Sequence, residues 1–157
     1  MRFFKSLGIL ALTTALFATP SIAESANFGK LTLSPGFKKS SAQIRGYTNG
    51  SFSLPSIANR DRNDNACIGF SAPTPDHVIV LQKDFPRLQI KVNSRGKDTT
   101  LVIKGPGDSI RCGDDTDTSK DASISDTNWK AGEYQVWVGS IESRQTWNYT
   151  LSIQESY

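Results

Sequence analysis

Between residues 87 and 94 the chain reads RLQIKVNS, with Leu88, Ile90 and Val92 separated by Gln89, Lys91 and Asn93. Side chains that alternate with period two stand on opposite faces of an extended strand; a helix would need a period near 3.6. The same reading fits KLTLSPGF (30–37), HVIVLQ (77–82), TTLVIKG (99–105), EYQVWVGS (133–140) and WNYTLSIQ (147–154). Glycine, proline and asparagine punctuate these runs. Asn49-Gly50, between Ile44-Tyr47 and Phe52-Leu54, reads as a two-residue hairpin turn, because both central positions of that turn favour positive φ. Counted this way, the chain holds about eight strands and no long helix. One-sided patterning predicts antiparallel sheets, each burying one face in a shared core. Trp137 has the opposite parity from Tyr134, Val136 and Val138, and is expected outside that core as cover for an edge. Trp129 is expected to cover a sheet end.

The N-terminus has a different logic. Arg2 and Lys5 precede an apolar run from Leu7 to Ala18, and Ser21-Ile22-Ala23 supplies small residues at a cleavage position. This order is that of a secretory signal, and the run is too short to span a bilayer. Residues 1–23 are therefore read as a signal peptide and 24–157 as one domain of an exported protein, periplasmic or extracellular. Removing 23 of the 157 residues leaves 134, enough for a substantial core. Removing Arg2 and Lys5 from the 18 basic residues leaves 16 against 15 acids, a net charge of +1. A near-neutral chain argues against nucleic acid or an anionic membrane as the main partner, and no second apolar run predicts a membrane span.

Cys67 and Cys112 are the only cysteines. In an exported chain an even count favours a disulfide, and only one intrachain pairing exists. Zinc would want more soft ligands, and a catalytic thiol would want a base nearby.

Several phrases occur together in one order: LTLSPGF, CIGFSAPTPDHVIVL, LQIKVNSRGKDTTLVIKGPG, RCGDDTD, WKAGEYQVWVGSI and YTLSI. The set resembles the bacterial pre-peptidase C-terminal domain, in the stand-alone secreted form met in cyanobacteria, from about Leu31 to Ile153. The resemblance implies a jelly-roll-like β-sandwich that serves as an accessory module rather than a catalyst. It also implies relatives that bind calcium or matrix polymers. A stand-alone module, without the protease such domains commonly sit beside, is the expectation.

The strongest local lead is RCGDDTDTSKD (111–121), which gathers Asp114, Asp115, Asp117 and Asp121. Hard cations prefer several oxygen ligands on a flexible loop, so these four are the candidate calcium ligands, with Asp98 a further contributor across a strand end. Counting from Asp115, the spacing to Asp117, Ser119, Asp121 and Asp126 partly echoes a twelve-residue calcium loop. However, Lys120 sits where that loop needs glycine, and Asp126 replaces its bidentate glutamate. The competing reading is a solvated loop whose aspartates cap turns, with Lys120 and Arg111 neutralising part of the charge.

Catalysis finds little footing. His77, the only histidine, follows Asp76, but no nucleophile turn accompanies them. The expectation is a non-catalytic secreted accessory or binding module acting on an envelope polymer or protein. A calcium-stabilised structural domain and an unrecognised hydrolase using His77 are the alternatives. Tyr47, Trp137 and Trp147 would stack on sugar rings if exposed, although their alternation favours packing.

Overall fold

The computed structural model describes residues 25–116 and 118–156. The expected signal peptide, together with Asp117, lies outside the described residues. The described chain is all-β. Its strands are β1 (Gly29–Leu33), β2 (Gln43–Tyr47), β3 (Phe52–Ser53), β4 (Phe70–Ser71), β5 (His77–Leu81) and β6 (Phe85–Asn93), followed by β7 (Thr99–Lys104), β8 (Ile110–Gly113), β9 (Ser123–Trp129), β10 (Gly132–Ser140) and β11 (Asn148–Glu155). The helical content among the described residues is three single turns of 3₁₀ helix.

Two sheets pack face to face as a sandwich. The larger is built on β10, which pairs with β7 on one side and with β5 and then β4 on the other; β8 extends it beyond β7, β1 beyond β5, and β3 beyond β4. The smaller runs β2-β11-β6-β9 and is antiparallel throughout. The β1–β5 pair is parallel, an exception to the otherwise antiparallel pairing. The alternation read from the sequence is what fills the space between them. Leu88, Ile90 and Val92 from β6 and Leu151 and Ile153 from β11 meet Leu101, Ile103, Val136 and Val138 from the other layer.

Three expectations need correction. There are eleven strands rather than about eight, because β4 and β8 are too short to show a period and β9 carries mostly polar residues on alternate positions. Asn49-Gly50 is not a hairpin: β2 and β3 belong to different sheets, and the turn carries the chain across the sandwich. Gly50 adopts φ +109, and a Cβ there would stand 2.3 Å from the Ser71 carbonyl oxygen, so the glycine serves a close backbone crossing. Trp137 does point away from the main core, but it is buried. The chain after Leu54 folds over the outer face of the larger sheet, and a second core forms there from Leu54, Cys67, Val102, Cys112 and Trp137. That cover explains why every residue from Thr99 to Ile103 is buried, whichever way it points.

The Cys67–Cys112 disulfide lies in this second core, with a Cα–Cα distance of 5.1 Å. It fastens the covering segment to β8.

Candidate functional site

The β8 end, the start of β9 and the loop at residues 61–66 enclose an open cleft of about 340 Å³, lined by Asp61, Asn63, Asn65, Asp114, Asp115 and Asp126. The disulfide forms one side of it, since Cys112 also lines the cleft. The acids in and around the cleft fall into two groups, those already satisfied by protein donors and those still open.

Asp61 belongs to the first. Its Oδ1 accepts from the backbone N–H of Asn63 (2.8 Å) and Asn65 (2.9 Å), and its Oδ2 from Asn65 Nδ2 (3.0 Å) and Cys112 N–H (3.0 Å). Burial opposes its ionisation, but these donors outweigh burial and hold the carboxyl below its ordinary range. Asp126 is held between two arginines. Arg62 reaches it with Nη2 at 2.7 Å and Nε at 3.0 Å, and Arg111 Nε reaches it at 2.8 Å. Burial again works against the charge, but Arg62 and Arg111, with the Thr127 N–H, keep Asp126 low. Arg111 is nearly inaccessible, at 1% exposure, and its guanidinium lies 4.0 Å from the Trp129 ring centroid. It is an inward-facing residue of β8, registered with Ile103. Asp126 therefore neutralises the charge that β8 carries into the sandwich. Trp129 covers the sheet end as expected and also forms the bed for Arg111.

Asp121 is also satisfied. It accepts from Ser94 N–H (2.7 Å), Gly96 N–H (3.2 Å), Ser119 Oγ (3.2 Å) and the Ser94 hydroxyl. Burial is again outweighed, by donors from the turn at residues 94–97, and the carboxyl is held low. The structure thus uses Asp121 to clamp that turn and does not gather it with the other loop acids.

Asp114 and Asp115 do converge, and their third partner is Asp98. One carboxylate oxygen from each lies within 4.8 Å of the other two. Asp114 Oδ1 is buried without a hydrogen-bond partner among the described residues. Burial pushes the Asp114 carboxyl up, and repulsion from Asp115 and Asp98 pushes it the same way. Lys120 Nζ stands 2.6 Å from Asp98 Oδ2 and supplies part of the missing positive charge. Oxygens this close are within the span of one cation with ligand distances of about 2.3–2.6 Å. Of the four candidate ligands from the sequence, Asp114 and Asp115 meet, Asp121 is engaged elsewhere, and Asp117 lies outside the described residues. Asp98 enters because β7 begins beside the loop; Thr99 N–H donates to Lys120 carbonyl at 3.0 Å and brings the two segments together.

His77 is enclosed at 0% exposure, where its Nε2 is 2.8 Å from Tyr149 Oη and its Nδ1 has no partner among the described residues. Asp76, its chain neighbour, uses its carboxylate elsewhere. Oδ2 accepts from Val138 N–H (2.8 Å) and Ser71 Oγ (3.2 Å), and Oδ1 from Asn27 Nδ2 (3.3 Å). Burial raises Asp76 to about 6 despite these bonds, and burial lowers His77 to about 4. The hydrogen-bonded partner of the imidazole is a buried phenol, not a serine or thiol.

These features define a disulfide-stapled all-β sandwich with an acidic cleft at one edge. No protein-family model matches the chain, and no curated protein matches it. Solved structures do resemble its course. The pre-peptidase C-terminal domain of a Bacillus anthracis collagenase shares 15% identity over 85% of this chain and 99% of its own, with a TM-score of 0.45. A periplasmic inhibitor of g-type lysozyme from Aeromonas hydrophila shares 13% identity over 80% of this chain and 96% of its own, at TM-score 0.39. A surface-associated copper-binding protein of Methylomicrobium album BG8 shares 8% identity over 84% and 100%, at TM-score 0.46.

Proposed function

We propose that the protein is an exported, non-catalytic binding or accessory module of the periplasm or cell exterior, akin to a stand-alone pre-peptidase C-terminal domain. The observation that carries this reading is the fate of its reactive groups. The one imidazole is enclosed between the sheets against Tyr149, and both thiols are spent in the disulfide. A disulfide suits an oxidising compartment, and no helix among the described residues is long and apolar enough to cross a membrane. The test pairs two measurements on purified protein: capture of envelope polymers and proteins, and a screen against ester, amide and glycoside substrates. Specific capture without turnover is expected. Hydrolysis that disappears in His77→Ala would instead establish the hydrolase alternative.

A second reading is favoured by the convergence of Asp98, Asp114 and Asp115 and by the orphaned Asp114 oxygen: calcium binds there and stabilises the domain. The chemistry suits a hard cation, with oxygen donors on a loop, one of them already partly dehydrated. A melting midpoint that does not change between millimolar calcium and chelator would dismiss it.

A further inference from the structure

We propose that the outer face of the four-stranded sheet, centred on Arg45 and Arg95, binds an acidic polysaccharide. This names a partner chemistry for the binding-module reading and rests on it.

The alternation that sends Leu151 and Val92 inward sends polar residues outward. The register aligns Arg45 of β2 with Thr150 of β11 and Asn93 of β6; the next outward row aligns Gln43, Ser152 and Lys91. Tyr47, registered with Asn148, ends the strip at the sheet edge, where its ring packs edge-on against Phe28 at 4.7 Å and lies outside the trough. Arg95 follows β6 at the turn and adopts φ +63, a conformation uncommon for arginine. The turn is held by Asp121 through Ser94 and Gly96 N–H. Arg45, Asn93, Arg95, Asn148 and Thr150 line one open trough of about 570 Å³.

Charge on this face is one-sided. Several basic residues elsewhere have acidic partners, among them Lys30 with Glu133, Lys104 with Asp108, Lys120 with Asp98 and Lys130 with Asp84; other cations without an ion pair among the described residues, such as Lys39, Lys83 and Arg144, do not line the trough. Arg45, Lys91 and Arg95 form no ion pair among the described residues, and no carboxylate lines the trough. With two arginines and no carboxylate in its lining, the trough favours a ligand that brings negative charge. Guanidinium groups accept a carboxylate or sulfate in two parallel hydrogen bonds. The amides and hydroxyls between them, Asn93, Asn148 and Thr150, match the hydroxyls of sugar rings. Three dispersed cations are too few for the dense phosphates of a nucleic acid, which a binding protein meets with many basic contacts. The face also lacks the apolar side chains that would enter a bilayer interface.

Affinity electrophoresis tests the assignment, using gels that contain polygalacturonate, dextran sulfate or neutral dextran. Retardation is expected with the anionic polymers and not with dextran, and the stronger of the two distinguishes a uronate from a sulfate ester as the preferred group. Arg45→Gln/Arg95→Gln should weaken the dissociation constant by at least about tenfold, the scale of losing one charge-assisted contact. Its melting temperature should match that of the wild type. Lys104→Gln/Lys130→Gln removes the same charge from elsewhere and should bind like wild type. Equal weakening in both double variants, equal retardation by dextran, or equally tight binding of duplex DNA or phosphatidylserine vesicles would overturn the proposal. Capture of another partner that is indifferent to Arg45→Gln/Arg95→Gln would overturn this assignment while leaving the binding-module reading intact. Hydrolysis dependent on His77 would sink that reading without affecting the glycan result.

Discussion

Asp76 and His77 are adjacent, both buried, and shifted in opposite senses, so their effects on stability should cancel with pH. Folding raises Asp76 from 3.8 to about 6, so between those values the folded chain holds more protons than the unfolded one. Acidification through that window therefore stabilises the fold. Folding lowers His77 from 6.5 to about 4, so the unfolded chain takes up its proton first and acidification destabilises. Between pH of about 7.5 and 4.5, His77 alone should cost about 2.5 kcal/mol and Asp76 alone should return about 2 kcal/mol. The wild type should change by only about 0.5 kcal/mol from this pair across that range. Urea unfolding of wild type, Asp76→Asn and His77→Gln across the range separates the two effects. Taken relative to wild type, which removes the contributions of other acids, Asp76→Asn should lose about 2 kcal/mol more on acidification, and His77→Gln should gain about 2.5 kcal/mol. Both substitutions keep a hydrogen-bonding group in place, so the slope with pH, rather than the absolute loss of stability, is the readout. Parallel profiles for all three proteins would show that these groups titrate as they do in water and would refute the reasoning.

Calcium at a hundredfold excess over its dissociation constant should add about 2.7 kcal/mol, read as a rise of several degrees in melting temperature. Asp114→Asn should abolish that rise, and Lys120→Ala, which frees Asp98, should strengthen it. Reduction of Cys67–Cys112, which spans 45 residues, should cost about 4 kcal/mol in urea titrations run with and without reductant. Asp126→Asn strands the buried Arg111 and should cost about 3–5 kcal/mol, whereas the half-exposed Arg62→Gln should cost about 1 kcal/mol. Equal losses from those two variants in urea unfolding would show that Arg111 is not the cation that matters.

The sandwich was legible wherever one strand face is apolar and the other polar, because that contrast is the physical cause of the two layers. β6, β10 and β11 could be read almost to the residue. β7 is legible from its β-branched run, but its burial on both faces is not, because nothing local says that the chain after Leu54 returns to cover Val102 and Trp137. A signal existed: Val102, Cys112 and Trp137 share the outward parity, and a buried disulfide needs apolar company. The candidate site was half legible. Asp114 and Asp115 stand out by density and Asp98 is a further contributor across the strand end, as the cluster has it, whereas Asp121 leaves because the turn at 94–97 has N–H groups to offer it. The sequence offers Arg111 as a neutraliser of the acidic loop and Asp126 as the last position of an imperfect calcium loop, but nothing in it marks the two as a buried pair. They lie 15 positions apart on strands of different sheets, and only stacking those sheets turns a charged residue in each into a pair.

Net charge misleads for a related reason. A total of +3, from 18 basic and 15 acidic residues, follows from nearly equal counts and says nothing about where each sign sits. Acids concentrate at the β8–β9 edge, where Asp61 and Asp126 build structure and Asp98, Asp114 and Asp115 remain in mutual repulsion. Arg45, Lys91 and Arg95 lie on the smaller sheet without ion-pair partners among the described residues. A field summed over the whole molecule nearly vanishes at distances beyond the Debye length of about 8–10 Å, so long-range steering of a polyanion is weak. At contact range each face acts alone. A near-neutral total argues against nucleic acid or an anionic membrane as the main partner, and the proposed docking of an anionic glycan rests on one face instead. An anionic glycan bound here should show a modest association rate and an affinity that depends chiefly on dissociation, and Arg45→Gln/Arg95→Gln should act on the dissociation rate. If that variant changed only the association rate, the face would be a steering field rather than a binding surface.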